Sequence, residues 1–118
     1  MKKRQEQEQE GNTRHQKIRE ALRTSAAEFL AREAGRQSLV TVTEARVSND
    51  GRSGRVYITV LPQSAEESAL AFANRNRGEF SKFFKKKIRG ISPLHIEFVI
   101  DEGEKSRQRL DELGTELS

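Results

Sequence analysis

Cysteine is absent from this 118-residue chain. That excludes disulfides, thiolate metal sites and thiol nucleophiles, and it fits a reducing cytosol. No apolar run approaches the ~18 residues of a membrane span. The N-terminus lacks the hydrophobic stretch of a signal peptide. Apolar residues make up only 33% of the chain and the mean hydropathy is −0.84, so the core must be small. His15 and His95 are the two histidines, and neither metal-ligand spacing nor a Ser/His/Asp arrangement assembles around them. A phosphate-loop motif is missing as well. These absences lead us to expect a soluble cytoplasmic protein that is not an enzyme, with no cofactor, metal or small-molecule substrate.

What is present is basic charge, concentrated in one place. The net charge is +4 and the pI is near 9.7. Residues 75 to 89 set Arg75, Arg77, Lys82, Lys85, Lys86, Lys87 and Arg89 against the single acid Glu79, a local net of +6. Residues 101 to 118 carry −3. Charge clustered this way steers a phosphate backbone to one face, which evenly spread charge does not. Phe80, Phe83, Phe84 and Ile88 recur at helical spacing through the basic run, and Gly78 interrupts it. Such a segment can bury one face and offer the other to a polyanion, with the glycine letting backbone come close to a phosphate or base.

The periodicity predicts an α+β chain. Residues 1–12, with alternating Gln and Glu, are expected to be a disordered polar tail. Thr13 and Gln16 have capping-box spacing ahead of a helix carrying Ile18, Leu22, Ala26, Phe29 and Leu30, with Gly35 as its stop. Leu39–Ser48 reads as a strand whose alternation slips: Val40 and Val42 share one face, Ala45 and Val47 the other, so a bulge is expected near Thr43–Glu44. Asn49-Asp50-Gly51 supplies a turn, and Arg55–Leu61 alternates cleanly through Val56, Ile58 and Val60. Ser64 and Glu67 have the spacing of a second capping box. The helix they open is predicted to kink around Asn76–Gly78, because glycine costs about 1 kcal/mol against alanine in an unbroken helix. Ser92-Pro93 ends it. Ile96, Phe98 and Ile100 line one side of a third strand, and a short helix is expected from Lys105 to Leu113.

The resulting order, α-β-β-α-kink-α-β, resembles the type II KH domain: a single unit with a three-stranded sheet packed against helices. Further residues resemble the ribosome-binding factor A family: the hairpin Val40–Leu61 with Ser48-Asn49-Asp50, the crossover with its glycine kink, Pro93, and the strand end Phe98-Val99-Ile100-Asp101. The resemblance covers about residues 13 to 113. It rests on the ordered set rather than on any one motif. Two positions depart from the family pattern: Asn76-Arg77-Gly78 stands where Ala-x-Gly is usual, and Ser81-Lys82 where an arginine is common. Gly51-Arg52-Ser53-Gly54 spells the GXXG of ordinary KH domains, but it falls between two strands and is expected to be a hairpin turn.

The resemblance implies a non-catalytic assembly factor, a monomer, that binds 16S rRNA in the free small ribosomal subunit and assists its late maturation. A KH-like domain at residues 13–104 would then lie between the N-terminal tail and an acidic tail or short helix at 105–118. The residues expected to meet RNA are Arg75, Asn76, Arg77, Gly78, Lys82, Lys85, Lys86 and Arg89. Phe80 and Phe84 are assigned to the core, and Phe83 is left open between core and base stacking. Three alternatives stay beside this one. They are a KH-like module for other single-stranded RNA or DNA, a small α+β enzyme acting on acyl phosphates, and a domain whose basic helix meets an acidic protein.

Overall fold

In a computed structural model that describes residues 2–33, 38–88 and 95–108, the alternating hydrophobic stripes become one sheet and one helical layer. Side chains of the first helix are described from Gln16 to Arg32. The order is α1 (Lys2–Glu33), β1 (Leu39–Val47), β2 (Ser53–Leu61), a 3₁₀ turn (Gln63–Ala65), α2 (Glu66–Arg75), α3 (Arg77–Lys87) and β3 (His95–Ile100). A last helix, α4, covers residues 102–108. This is the α+β arrangement the periodicity predicts. The sheet runs β1-β2-β3, antiparallel between the first pair and parallel between the second.

The predicted bulge is there. Val42 faces Ile58 and Glu44 faces Tyr57, leaving Thr43 as the extra residue. Its insertion turns Ala45 back to the inner face, so Val42 and Ala45 are both buried despite their odd spacing. Gly51 has φ 71° and occupies the hairpin turn, where Asp50 accepts bonds from Ser48 Oγ (2.6 Å) and the Arg52 amide (3.0 Å). The Gly51–Gly54 run is therefore a turn leading into β2, as expected.

A single core lies between the inner sheet face and the helices. Leu22, Val56, Ile58 and Phe80 are wholly inaccessible to solvent, and Phe98 is 1% exposed. Fully burying a side chain of this kind is worth roughly 1.5–3 kcal/mol. The other sheet face is polar: the Arg46 guanidinium lies 5.2 Å from the Tyr57 ring centre and pairs with Glu44 at 2.9 Å.

Three helix starts differ from expectation. Backbone is helical from Lys2, so neither the Thr13 capping box nor a tail through residue 12 marks the beginning of α1. The Lys, Arg, Gln and Glu of that run are strong helix formers, which continue a helix wherever nothing stops it. Ser64 lies within the 3₁₀ turn and Ala65 is the residue before α2, with no side-chain cap. The last helix starts at 102, not at Lys105, because Asp101 caps it: Oδ1 accepts the Glu104 amide at 2.9 Å. Gly35, Ser92, Pro93, Leu110 and Leu113, which also carried expectations, lie outside the described residues.

Candidate nucleic-acid interface

The break between α2 and α3 is made by one residue. Asn76 has φ −99° and ψ 12°, outside the helical region. Its backbone N–H (3.1 Å) and its Nδ2 (2.8 Å) both donate to the Phe72 carbonyl. The side chain thus closes the end of α2 and does not cap α3. The first amides of α3 have no intrahelical partner, as at any helix start, and they add the positive end of the helix dipole to the basic residues around them.

A second asparagine fixes where this break sits. Asn74 Nδ2 donates to the Phe98 carbonyl at 3.0 Å, and the Phe98 amide donates to Asn74 Oδ1 at 2.9 Å. The amide side chain takes the place of a neighbouring strand's peptide on the free edge of β3. It satisfies two backbone groups there and ties the last turn of α2 to the sheet. Sequence reasoning missed Asn74, since its partner is 24 residues away and no local pattern announces it.

Around the break the basic residues are exposed. Arg75, Arg77, Gly78, Lys82, Lys85 and Lys86 are all accessible, and Asn76 is half-buried. Among the described residues Arg75, Arg77, Lys85 and Lys86 have no ion pair; Lys82 has only a loose contact with Glu79 at 3.9 Å. Lys87 differs: its ammonium is bound by Glu28 of α1 at 2.7 Å and lies 5.0 Å from the Phe83 ring centre. Arg89 lies outside the described residues. Gly78 is in the first turn of α3, and a Cβ there would meet nothing within 4 Å. The glycine is therefore not what breaks the helix.

The apolar side of α3 goes where helical spacing puts it. Phe80 is fully buried and Phe84 is 3% exposed, with Phe80 packed on Phe29 (5.3 Å) and Phe98 (5.6 Å). Phe83 stays at the rim, half-buried against Phe29 at 5.7 Å. Among the described residues no group of three or more His, Asp or Glu is placed to hold a metal ion. No helix among them is long and apolar enough to cross a membrane. What the site offers is fixed positive charge, free amide donors and one accessible aromatic ring.

Comparison with known proteins gives a consistent result. The family described as ribosome-binding factor A matches residues 14–114. Ribosome-binding factor A of Thermobifida fusca is 34% identical over 104 residues, covering 85% of this chain and 68% of that protein. The Fervidobacterium nodosum protein of the same name is 28% identical over 78 residues, covering 65% of this chain and 62% of that protein. The crystal structure of ribosome-binding factor A from Thermus thermophilus shares the fold with a TM-score of 0.66 at 23% identity, over 73% of this chain and 94% of that one. A homology model of Thermus thermophilus ribosome-binding factor A, fitted into a cryo-EM map of a 30S complex, is similar at TM-score 0.59 and 25% identity, over 67% of this chain and 86% of that one.

Proposed function

The chain belongs to the ribosome-binding factor A family, and from that membership we propose that it binds the free small (30S) ribosomal subunit and assists late maturation of 16S rRNA, acting by binding alone. A relative of similar fold has been placed in a complex with the 30S particle, which supports the choice of partner. The observation that carries the reading is the kinked crossover. Exposed Arg75, Arg77, Lys82, Lys85 and Lys86 flank a helix start whose amides are left uncapped by Asn76. Phosphate is the natural ligand of such an arrangement.

Residues 13–104 carry the RNA-binding unit, with Asn76, Gly78 and Arg89 completing the contact surface and residues 1–12 and 105–118 flanking it. Backbone contacts of this type position a protein on folded RNA and do not read sequence. The protein works as a cytoplasmic monomer. By binding one rRNA conformation better than another it shifts their populations by its differential affinity and no more.

Sucrose-gradient co-sedimentation with separated small subunits, large subunits and whole ribosomes tests this. Salt-sensitive association with free small subunits only is the expected result. Sedimentation with none of the three particles overturns it and moves the function to another nucleic acid or to a protein.

A further inference from the structure

Phe83 is the one aromatic residue of α3 that the core does not absorb. Phe29 beneath it is 7% exposed and Phe80 is fully buried, yet the Phe83 ring forms part of the wall of an open groove between α1 and α3. Phe29, Glu79, Lys82, Phe83, Lys85 and Lys86 line this groove, whose volume is about 590 Å³. The floor is aromatic carbon, and the rim carries three lysines against one carboxylate. From the α1 side the ring is held in place: Lys87 Nζ is 5.0 Å and Arg32 Cζ 6.0 Å from its centre, and Lys87 is anchored by Glu28 at 2.7 Å. The ring is thus flanked by cations, and Lys82, Lys85 and Lys86 belong both to this groove and to the basic crossover face.

A ligand that fits must join negative charge to a flat apolar group within a few ångströms. Single-stranded RNA has that chemistry. Duplex RNA presents its phosphates while its bases stay stacked inside. We propose that the groove between α1 and α3 holds one unstacked base of a single-stranded RNA segment on the Phe83 ring, with the flanking phosphates on Lys82 and Lys86. This rests on the RNA-binding function proposed above and gives it a substrate class: an unpaired nucleotide beside the backbone-contacting crossover.

The chain has no tryptophan, so Phe83→Trp places a single indole in the groove. Its emission would be followed during titration with a single-stranded oligoribonucleotide, an abasic ribose-phosphate oligomer of equal length, an RNA duplex and an acidic peptide. Quenching by the single strand and by none of the others is the expected result. Phe83→Leu, which keeps apolar bulk against Phe29, should weaken single-strand binding by roughly 5- to 150-fold, the range of one base–aromatic stack. Duplex affinity should hardly change. Equal quenching by the abasic oligomer, or single-strand affinity unchanged in Phe83→Leu, overturns the assignment. Quenching by the acidic peptide alone overturns it in favour of a protein partner. Wild-type binding measured by fluorescence anisotropy separates the two levels. RNA bound without any signal from the indole removes the groove only, whereas no RNA bound at all removes the proposed function as well.

Discussion

Asn74 and Asn76 stand two residues apart and each turns its amide onto backbone, one onto the edge of β3 and the other onto the end of α2. Between them they hold the break at a fixed distance from the sheet, so Arg75 and Arg77 project from a braced turn and not from a loop. Gly78 has no such task. Its φ is not in the left-handed region and its Cβ position is open. Under the proposed function, a glycine with no internal requirement at an exposed helix start among cations would let a phosphate come close to the α3 amides. Gly78→Ala should therefore separate stability from binding. The urea midpoint is expected to rise, by an amount equivalent to at most about 1 kcal/mol. RNA affinity, measured by anisotropy on the same preparation, is expected to fall, because the added methyl stands between the α3 amides and a phosphate. Affinity that stays at the wild-type value would remove Gly78 from the interface.

At the scale of elements, Asp101 joins three of them. It ends β3, caps α4 through the Glu104 amide, and accepts a 2.6 Å bond from Thr43, the bulge residue of β1. Burial, the largest influence on its carboxyl, pushes the pKa up. The Thr43 hydroxyl, the Glu104 amide, the charge of Arg107 and the Gly103 amide together outweigh it and hold the group below the usual aspartate range. A carboxyl with a lowered folded pKa stabilises the fold while ionised. That contribution is complete above the unfolded value of about 3.9 and disappears as pH falls through the folded one. Asparagine caps helices about as well as aspartate but cannot titrate. Asp101→Asn should thus lose less stability than wild type between about pH 7 and about pH 3, read as the change in urea midpoint; equal losses would show that the carboxyl is not linked to folding. Thr43 was legible in the sequence because a bulge leaves a phase slip in the alternation, and the buried Phe80–Phe84 stripe left a comparable periodic trace. The hairpin showed in its turn residues, and the kink, expected around Asn76–Gly78 on the strength of Gly78, is made by Asn76. The caps were not legible. Thr13-x-x-Gln16, Ser64-x-x-Glu67 and Asp101-x-x-Glu104 share one spacing, and only the last caps a helix start. Which residue caps is decided by where the backbone leaves the helix. That depends on tertiary packing, as do Asn74's bond to Phe98 and the α1–α3 groove beside Phe83.

For the whole molecule, the core and the charged face lie on opposite sides of α3, and that separation makes association testable without disturbing the fold. Lys85 and Lys86 are exposed and carry no ion pair among the described residues. They stand in the last turn of α3, where cations complement the helix dipole, so reversing both should cost only about 1–2 kcal/mol of stability. Binding is different. Each lysine on a phosphate displaces a condensed counterion, and the plot of log affinity against log salt steepens by about 0.7–0.9 per contact. The double variant Lys85→Glu/Lys86→Glu should flatten that plot by at least about 1.5 and weaken binding most at low salt. The two proteins should then converge as salt rises, whichever RNA sequence is used. A slope equal to wild type would mean that these lysines are a solvated surface, and that the cationic contacts come from Arg75, Arg77, Lys82 and Arg89. A loss confined to one RNA sequence would mean that α3 reads bases where the geometry offers it backbone.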